Sequence, residues 1–372
     1  MRNLAKKLVR RLPRLQQLFD ERDRLRTECR GLNLQEAVHR LHLVALDREI
    51  GRLRDDLFRV HAECTQLQAE QQRGAAEVTA ARAECHQALA ETETLREHQC
   101  VPPGHPCSPI PSLDELKRRE QSIWGAPPHE LPAIALNASG QLELLRVFAN
   151  FDRDAPDFPA RQGSRCRYYH DNGYFPLGDA LTLYCMLRYL RPRRVIEVGS
   201  GHSSCVTLDV NERFFANRIV CTFIEPYPQR LRSLLRDNDR IDLIEKPLQD
   251  VGLELFRQLG PRDILFIDST HAAKCGGDVN HIFFEILPAL QSGVFVHIHD
   301  IHYPFEYPQV WVYRGMHWNE DYLLRAFLQF NRAFSIQFWY RYLYDVHRAA
   351  FPGRVPGCLR HAGSCFWMRK LQ

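Results

Sequence analysis

The chain has 372 residues, 45% hydrophobic and 25% charged, enough for one full globular domain and a further segment. Its 49 basic residues against 45 acidic ones leave a net charge of +4, too close to neutral for a dedicated nucleic-acid binder. Twelve cysteines without C-x-x-C pairs or a disulfide rhythm, no apolar run of membrane-spanning length and no secretory leader make the cytoplasm the expected location.

Residues 1–99 read as a basic N-terminal segment followed by a coiled coil. Met1 to Phe19 carries Arg2, Lys6, Lys7, Arg10, Arg11 and Arg14 with no acid and has leucines at helical spacing. Such a face suits peripheral contact of residues 1–19 with an anionic membrane, although Pro13 is expected to interrupt it. One heptad register then runs from Leu15 to Leu95, most regularly between Leu43 and Leu67, and would make a rod on the order of 120 Å. A stripe this long predicts a homo-oligomer through the coil, or a fold-back at Gly31-Leu32-Asn33. Residues 100–111, rich in proline, form a linker. The globular part spans 112–372 and opens with a helical preamble over 112–190, where Ser112 and Glu115 have capping-box spacing.

The most informative segment is Arg194 to Ser204, RVIEVGSGHSS. Val195, Ile196 and Val198 suit a buried parallel strand, Gly199 and Gly201 a tight turn, and His202 to Ser204 the start of a helix. A dinucleotide fingerprint would require a third glycine where Ser204 stands. A second strand, Ile219 to Ile224, ends instead in Glu225. The E-x-G-x-G form with this second acid resembles class I S-adenosylmethionine-dependent methyltransferases. That resemblance implies that Glu197 lies near the methionine ammonium, that Gly199, Ser200 and Gly201 pass under the cofactor, and that Glu225 accepts from the ribose. It also implies adenine contacts at Gln249 and Asp250 after a third strand, Ile241 to Ile244, and acceptor-pocket roles for Tyr169, Asn172 and Asp179 in the preamble.

A fourth strand, Asp263 to Ile267, ends in Asp268, and a fifth, Gly293 to Ile298, ends in His299-Asp300. Phe334 to Tyr340 and Cys365 to Arg369 read as an antiparallel pair at the sheet edge. The alternation predicts an α/β doubly wound, Rossmann-like seven-stranded sheet, with ligand at the carboxyl ends of strands one and four. There Asp268, also a cofactor contact, and His299 and Asp300 could converge on a divalent Mg²⁺ or Mn²⁺ ion.

From about Asn137 onward the chain is similar to a bacterial group of methyltransferases related to macrocin-type sugar O-methyltransferases, whose usual pattern is FIDGDH and then Asp-Asp. Here Ser269-Thr270 replace Gly-Asp and His299-Asp300 replace Asp-Asp, so His271 becomes a candidate general base as a neutral imidazole near pH 7, beside Asp268 and Asp300. His297 lies deeper on its strand and reads as structural. The following Tyr303, Glu306, Tyr307, Trp318 and Asn319 suit the apolar faces and hydroxyl edges of a saccharide or glycan-like acceptor. The expected activity is methyl transfer to such a hydroxyl. The alternatives are a small-molecule O- or N-methyltransferase, or a coiled-coil scaffold with a vestigial methyltransferase domain.

Overall fold

The computed structural model describes residues 2–28, 36–97, 100–163, 165–351 and 363–372. They fall into two units, Met1–Pro102 and Pro103–Gln372.

The first unit contains α1 (Arg2–Glu28) and α2 (Glu36–Glu97). Helix α1 runs through Pro13, contrary to the expected interruption; the leucines and arginines around it are strong helix formers that carry the turn past one missing amide. Leu18 and Leu25 of α1 pack against Leu46 and Ile50 of α2, with Phe19, Leu43 and Leu53 around them. All but Phe19 are seam positions of the single heptad register. Arg22 and Arg26 approach Asp47 at 3.9 and 3.8 Å, so the seam is closed here by the chain's own fold-back. At about 1.5 Å per residue α1 reaches about 40 Å and α2 about 93 Å, so α1 can cover less than half of α2. Among the described residues no helix is long and apolar enough to cross a membrane. The side chains of residues 1–11, which carry most of the expected membrane-facing charge, lie outside the described residues.

In the second unit, α3 (Leu113–Trp124) starts where the Ser112 hydroxyl accepts the Glu115 amide at 3.4 Å, one half of the expected capping box. Helices α4 (Ala138–Phe148) and α5 (Leu177–Leu190) complete the preamble. The preamble is pinned to the body by Arg167, whose side chain is 3% exposed and bonds Asp209 at 2.9 Å, Glu212 at 2.7 Å and Asp239.

The sheet comprises β1 (Arg194–Val198), β2 (Val220–Ile224), β3 (Asp242–Ile244), β4 (Ile264–Ile267), β5 (Phe295–Ile298), β6 (Phe334–Trp339) and β7 (Phe366–Lys370), in the order β3-β2-β1-β4-β5-β7-β6. The first five pair in parallel, and β7 runs antiparallel between β5 and β6, as the sequence pattern predicts. Val198 of β1 is in register with Ile224 and Ile267, and Ile267 with Ile298. Glu225, Gly199, Asp268 and His299 therefore follow one another across a single edge. Their amides continue the ladder: Gly199 donates to Ile224 at 3.0 Å, Glu225 to Ile244 at 3.1 Å, Asp268 to Val198 at 2.9 Å and His299 to Ile267 at 2.9 Å. Backbone bonds thus fix the whole row of predicted site residues.

Candidate active site

The glycine turn between β1 and α6 (His202–Phe215) has two glycines with different reasons. Gly199 has φ +75°, and a Cβ there would stand 1.7 Å from the Asp268 carbonyl oxygen, so the close approach of β1 and β4 requires it. Gly201 is extended at φ −179°, and its Cβ would meet only the Arg230 side chain at 3.6 Å. Nothing in the protein's own packing demands that second glycine; it keeps a space open.

Polar atoms around that space lack partners. Glu197 Oε2, Ser200 Oγ and His202 Nδ1 are buried without a hydrogen bond among the described residues. Ser203 donates to the other Glu197 oxygen. Burial pushes the Glu197 carboxyl up to about 8 against the pull of Ser203 and Ser204. Burial, together with the nearby Arg230 charge, lowers His202 to about 4, so it stays neutral. Buried polar groups are normally satisfied, and three left open around one turn fit a polar ligand. Glu225 stands at the adjacent strand end, accepting the Ser200 amide at 3.2 Å and the Tyr227 amide at 2.8 Å. Gln249 and Asp250 lie exposed on a short turn (Leu248–Asp250), and Gln249 donates to the Gly276 carbonyl at 2.7 Å.

Sequence reasoning missed Tyr174 and Arg230 beside this turn. Tyr174 stacks on His202 at 5.8 Å and 12°, the Arg230 guanidinium sits 3.9 Å from the Tyr174 ring centroid, and Tyr169 meets His202 edge-on at 5.3 Å. Tyr169 is thus beside the turn. Asn172 is not available to a ligand: its amide donates to Tyr169 and Phe175 carbonyls and its oxygen accepts the Tyr174 and Phe175 amides. Asp179 is buried, accepting the Ser364 and Cys365 amides, and is likewise structural.

At the ends of β4 and β5 the predicted convergence occurs, centred on an imidazole. His271 Nε2 lies 3.3 Å from Asp268 and 4.0 Å from Asp300, and Nδ1 lies 2.9 Å from Glu320. His299 Nε2 is 3.6 Å from Asp300, which also accepts the Ser364 hydroxyl at 2.6 Å. The His271 ring occupies the space between the two carboxylates expected to hold Mg²⁺ or Mn²⁺. Among the described residues no group of three His, Cys, Asp or Glu side chains is placed to hold a metal ion, so the expected set Asp268, His299 and Asp300 does not fit one.

The expectation of a neutral His271 also needs correction. Burial lowers its pKa, but hydrogen bonds and charge from Asp268 and Glu320 outweigh this and raise it well above the usual imidazole value. The protonated form therefore persists to higher pH than in an ordinary histidine. Glu320, 0% exposed at the start of the Glu320–Leu328 helix, escaped the sequence reading because an acid in a first turn ordinarily reads as a solvated helix-dipole partner. His297, as expected, is structural: it stacks on Phe266 at 3.9 Å and packs against Trp367 at 4.8 Å.

The aromatic tail divides. Trp318 packs on His271 at 4.4 Å, and Tyr307 and Glu306 line a cavity next to it. Tyr303 is buried against Trp339 and donates to the Pro128 carbonyl, and Asn319 clamps the Ala273 backbone at 2.6 and 3.1 Å. Both hold the loop in place with their own hydrogen bonds, and Asn319 also lines that cavity.

A family described as a methyltransferase domain matches residues 196–301, which span Glu197 to Asp300. An uncharacterized protein of Archaeoglobus fulgidus is 38% identical over 162 residues, 42% of this chain and 73% of that protein. Similar solved structures include the plantazolicin methyltransferase BpumL with S-adenosylhomocysteine, 12% identical, covering 64% of this chain and 100% of that one, with a TM-score of 0.37. Another is the O-methyltransferase TomG of Streptomyces achromogenes with S-adenosylmethionine, 11% identical, covering 69% and 96%, with a TM-score of 0.33. At these scores neither structure carries weight for substrate or mechanism. Residues 196–301 thus match a methyltransferase domain across the site-bearing strands, and the chain is related to the Archaeoglobus fulgidus protein over most of that protein's length.

Proposed function

We propose that the chain transfers a methyl group from S-adenosylmethionine to a hydroxyl of a saccharide or glycan-like acceptor. The observation that carries the cofactor site is the trio of unpartnered buried atoms on Glu197, Ser200 and His202 around the open space above Gly201. When bound, the cofactor supplies a methyl group on a positively charged sulfur, open to attack by an oxygen in line with the C–S bond. Glu197 would hold its ammonium end and Glu225 would accept from its ribose hydroxyls. Asp268 stands where the two halves of the site meet.

His271 then serves as the general base. Once deprotonated, it takes the acceptor hydroxyl's proton at Nε2 as the methyl passes from sulfur to that oxygen, and Glu320 on Nδ1 holds the ring and stabilises the resulting imidazolium. The aromatic rings of Trp318 and Tyr307 suit the apolar face of a sugar ring next to that nitrogen. Incubation with the cofactor and a panel of saccharides, amines and small phenols tests the acceptor class by mass spectrometry. The expected result is gain of one methyl by a saccharide hydroxyl; methylation of amines or phenols alone would rule it out.

The second part of the proposal is assembly. A second copy covers the seam of α2 beyond the reach of α1, around Val60, Cys64 and Leu67. Light scattering should show an oligomer for the full chain and a lower order after deletion of residues 1–99; a monomeric full-length chain at micromolar concentration refutes this.

A further inference from the structure

We propose that the acceptor carries an amine-bearing sugar ring, held as an ammonium in the cavity next to Trp318. This rests on the saccharide reading above and adds to it the charge of the ring. The cavity measures about 480 Å³, and Trp124, Tyr307, Trp318 and Tyr322 form its aromatic walls. Those walls stand at steep angles: Tyr307 lies at 89° to Tyr322 with centroids 5.9 Å apart, and at 75° to Trp318 with centroids 6.2 Å apart. Trp124 is locked by its indole N–H, which donates to the Tyr307 carbonyl at 2.8 Å. Where such a ring leaves its face open to the cavity, its negative π face attracts an ammonium group.

The charged lining points the same way. Glu306 contributes a half-buried carboxylate on this wall and accepts the Tyr322 hydroxyl. Arg119, the arginine in the lining, pairs with Glu115 at 3.7 Å and has a side chain 64% exposed, so water and its partner screen it, while Arg325 outside the lining pulls the Glu306 pKa down against burial. His317 lines the cavity as well. The field inside is therefore that of a carboxylate among π faces, and the volume suits one or two sugar rings. A neutral hexose would gain the stacking and forgo the charge, whereas a uronic acid would meet Glu306 with like charge.

The test is a binding measurement on the full-length protein, separate from methyl transfer. Tryptophan fluorescence is followed with glucosamine, glucose and glucuronate as probes, and S-adenosylmethionine affinity is measured in parallel by calorimetry. Glucosamine should bind about tenfold more tightly than glucose or better, with glucuronate weakest. Glu306→Gln should remove the advantage of glucosamine, while Arg119→Gln should keep it. Equal binding of the three sugars, tighter glucuronate, no binding by any of them, or an unchanged preference in Glu306→Gln overturns the proposal. Failure of cofactor binding is a distinct result that bears on the methyl-transfer reading alone.

Discussion

Gly199→Ala is expected to cost about 3–5 kcal/mol of folding stability, at the large end for a single substitution. The left-handed backbone at φ +75° costs a residue with a Cβ about 1–2 kcal/mol. The rest comes from the Asp268 carbonyl, 1.7 Å from the new carbon, which β4 can relieve only by moving away from β1. Gly201→Ala provides the contrast. Its extended backbone accepts a side chain and the nearest atom is 3.6 Å away, so the variant should unfold like the parent in urea yet bind S-adenosylmethionine more weakly. A parent-like melting curve for Gly199→Ala, or parent-like cofactor affinity for Gly201→Ala, would contradict this division of labour.

His271→Ala should lower the maximal rate by about a hundredfold to ten-thousandfold while cofactor affinity changes little. The pH profile separates a base from a packing residue. A base acts only once deprotonated, and Asp268 and Glu320 raise the pKa of His271. The rate should therefore climb with pH along a limb that lies above the ordinary imidazole value of about 6.5. Glu320→Gln removes one of the charges that raise it, so the limb should move to lower pH while the maximal rate falls. A chelator should leave turnover unchanged, because His271 itself occupies the space between the carboxylates. A limb at or below about pH 6.5, or one that ignores Glu320→Gln, would remove His271 from the chemistry.

The sheet was legible in the sequence because its signals are local. The β-branched run at Val195 to Val198, the glycines after it and acids at successive strand ends are adjacent in the chain, and strand register then brings those ends to one edge. The fold-back of α1 on α2 was legible as an alternative only, since a heptad stripe does not state whose partner it meets. What sequence could not give were contacts between distant segments. Glu320 and His271 are 49 residues apart, and the amides of Asn319 and Glu320 that donate to the His271 carbonyl give no sign in the order of residues. Asn172, Tyr303 and Asn319 had the composition of ligand-binding residues, but each spends its polar atoms on nearby or facing backbone, which residue type cannot reveal. The metal expectation failed for a similar reason: Asp268, His299 and Asp300 do gather, but His271 arrives at the same point from the loop after β4.

The most direct test of the whole account is calorimetry of the full-length protein with S-adenosylmethionine and with NAD, repeated on Glu225→Ala. Micromolar binding of S-adenosylmethionine, no binding of NAD and a weaker cofactor interaction in the variant are the predicted results. Binding of NAD with no binding of S-adenosylmethionine would contradict the account at its centre.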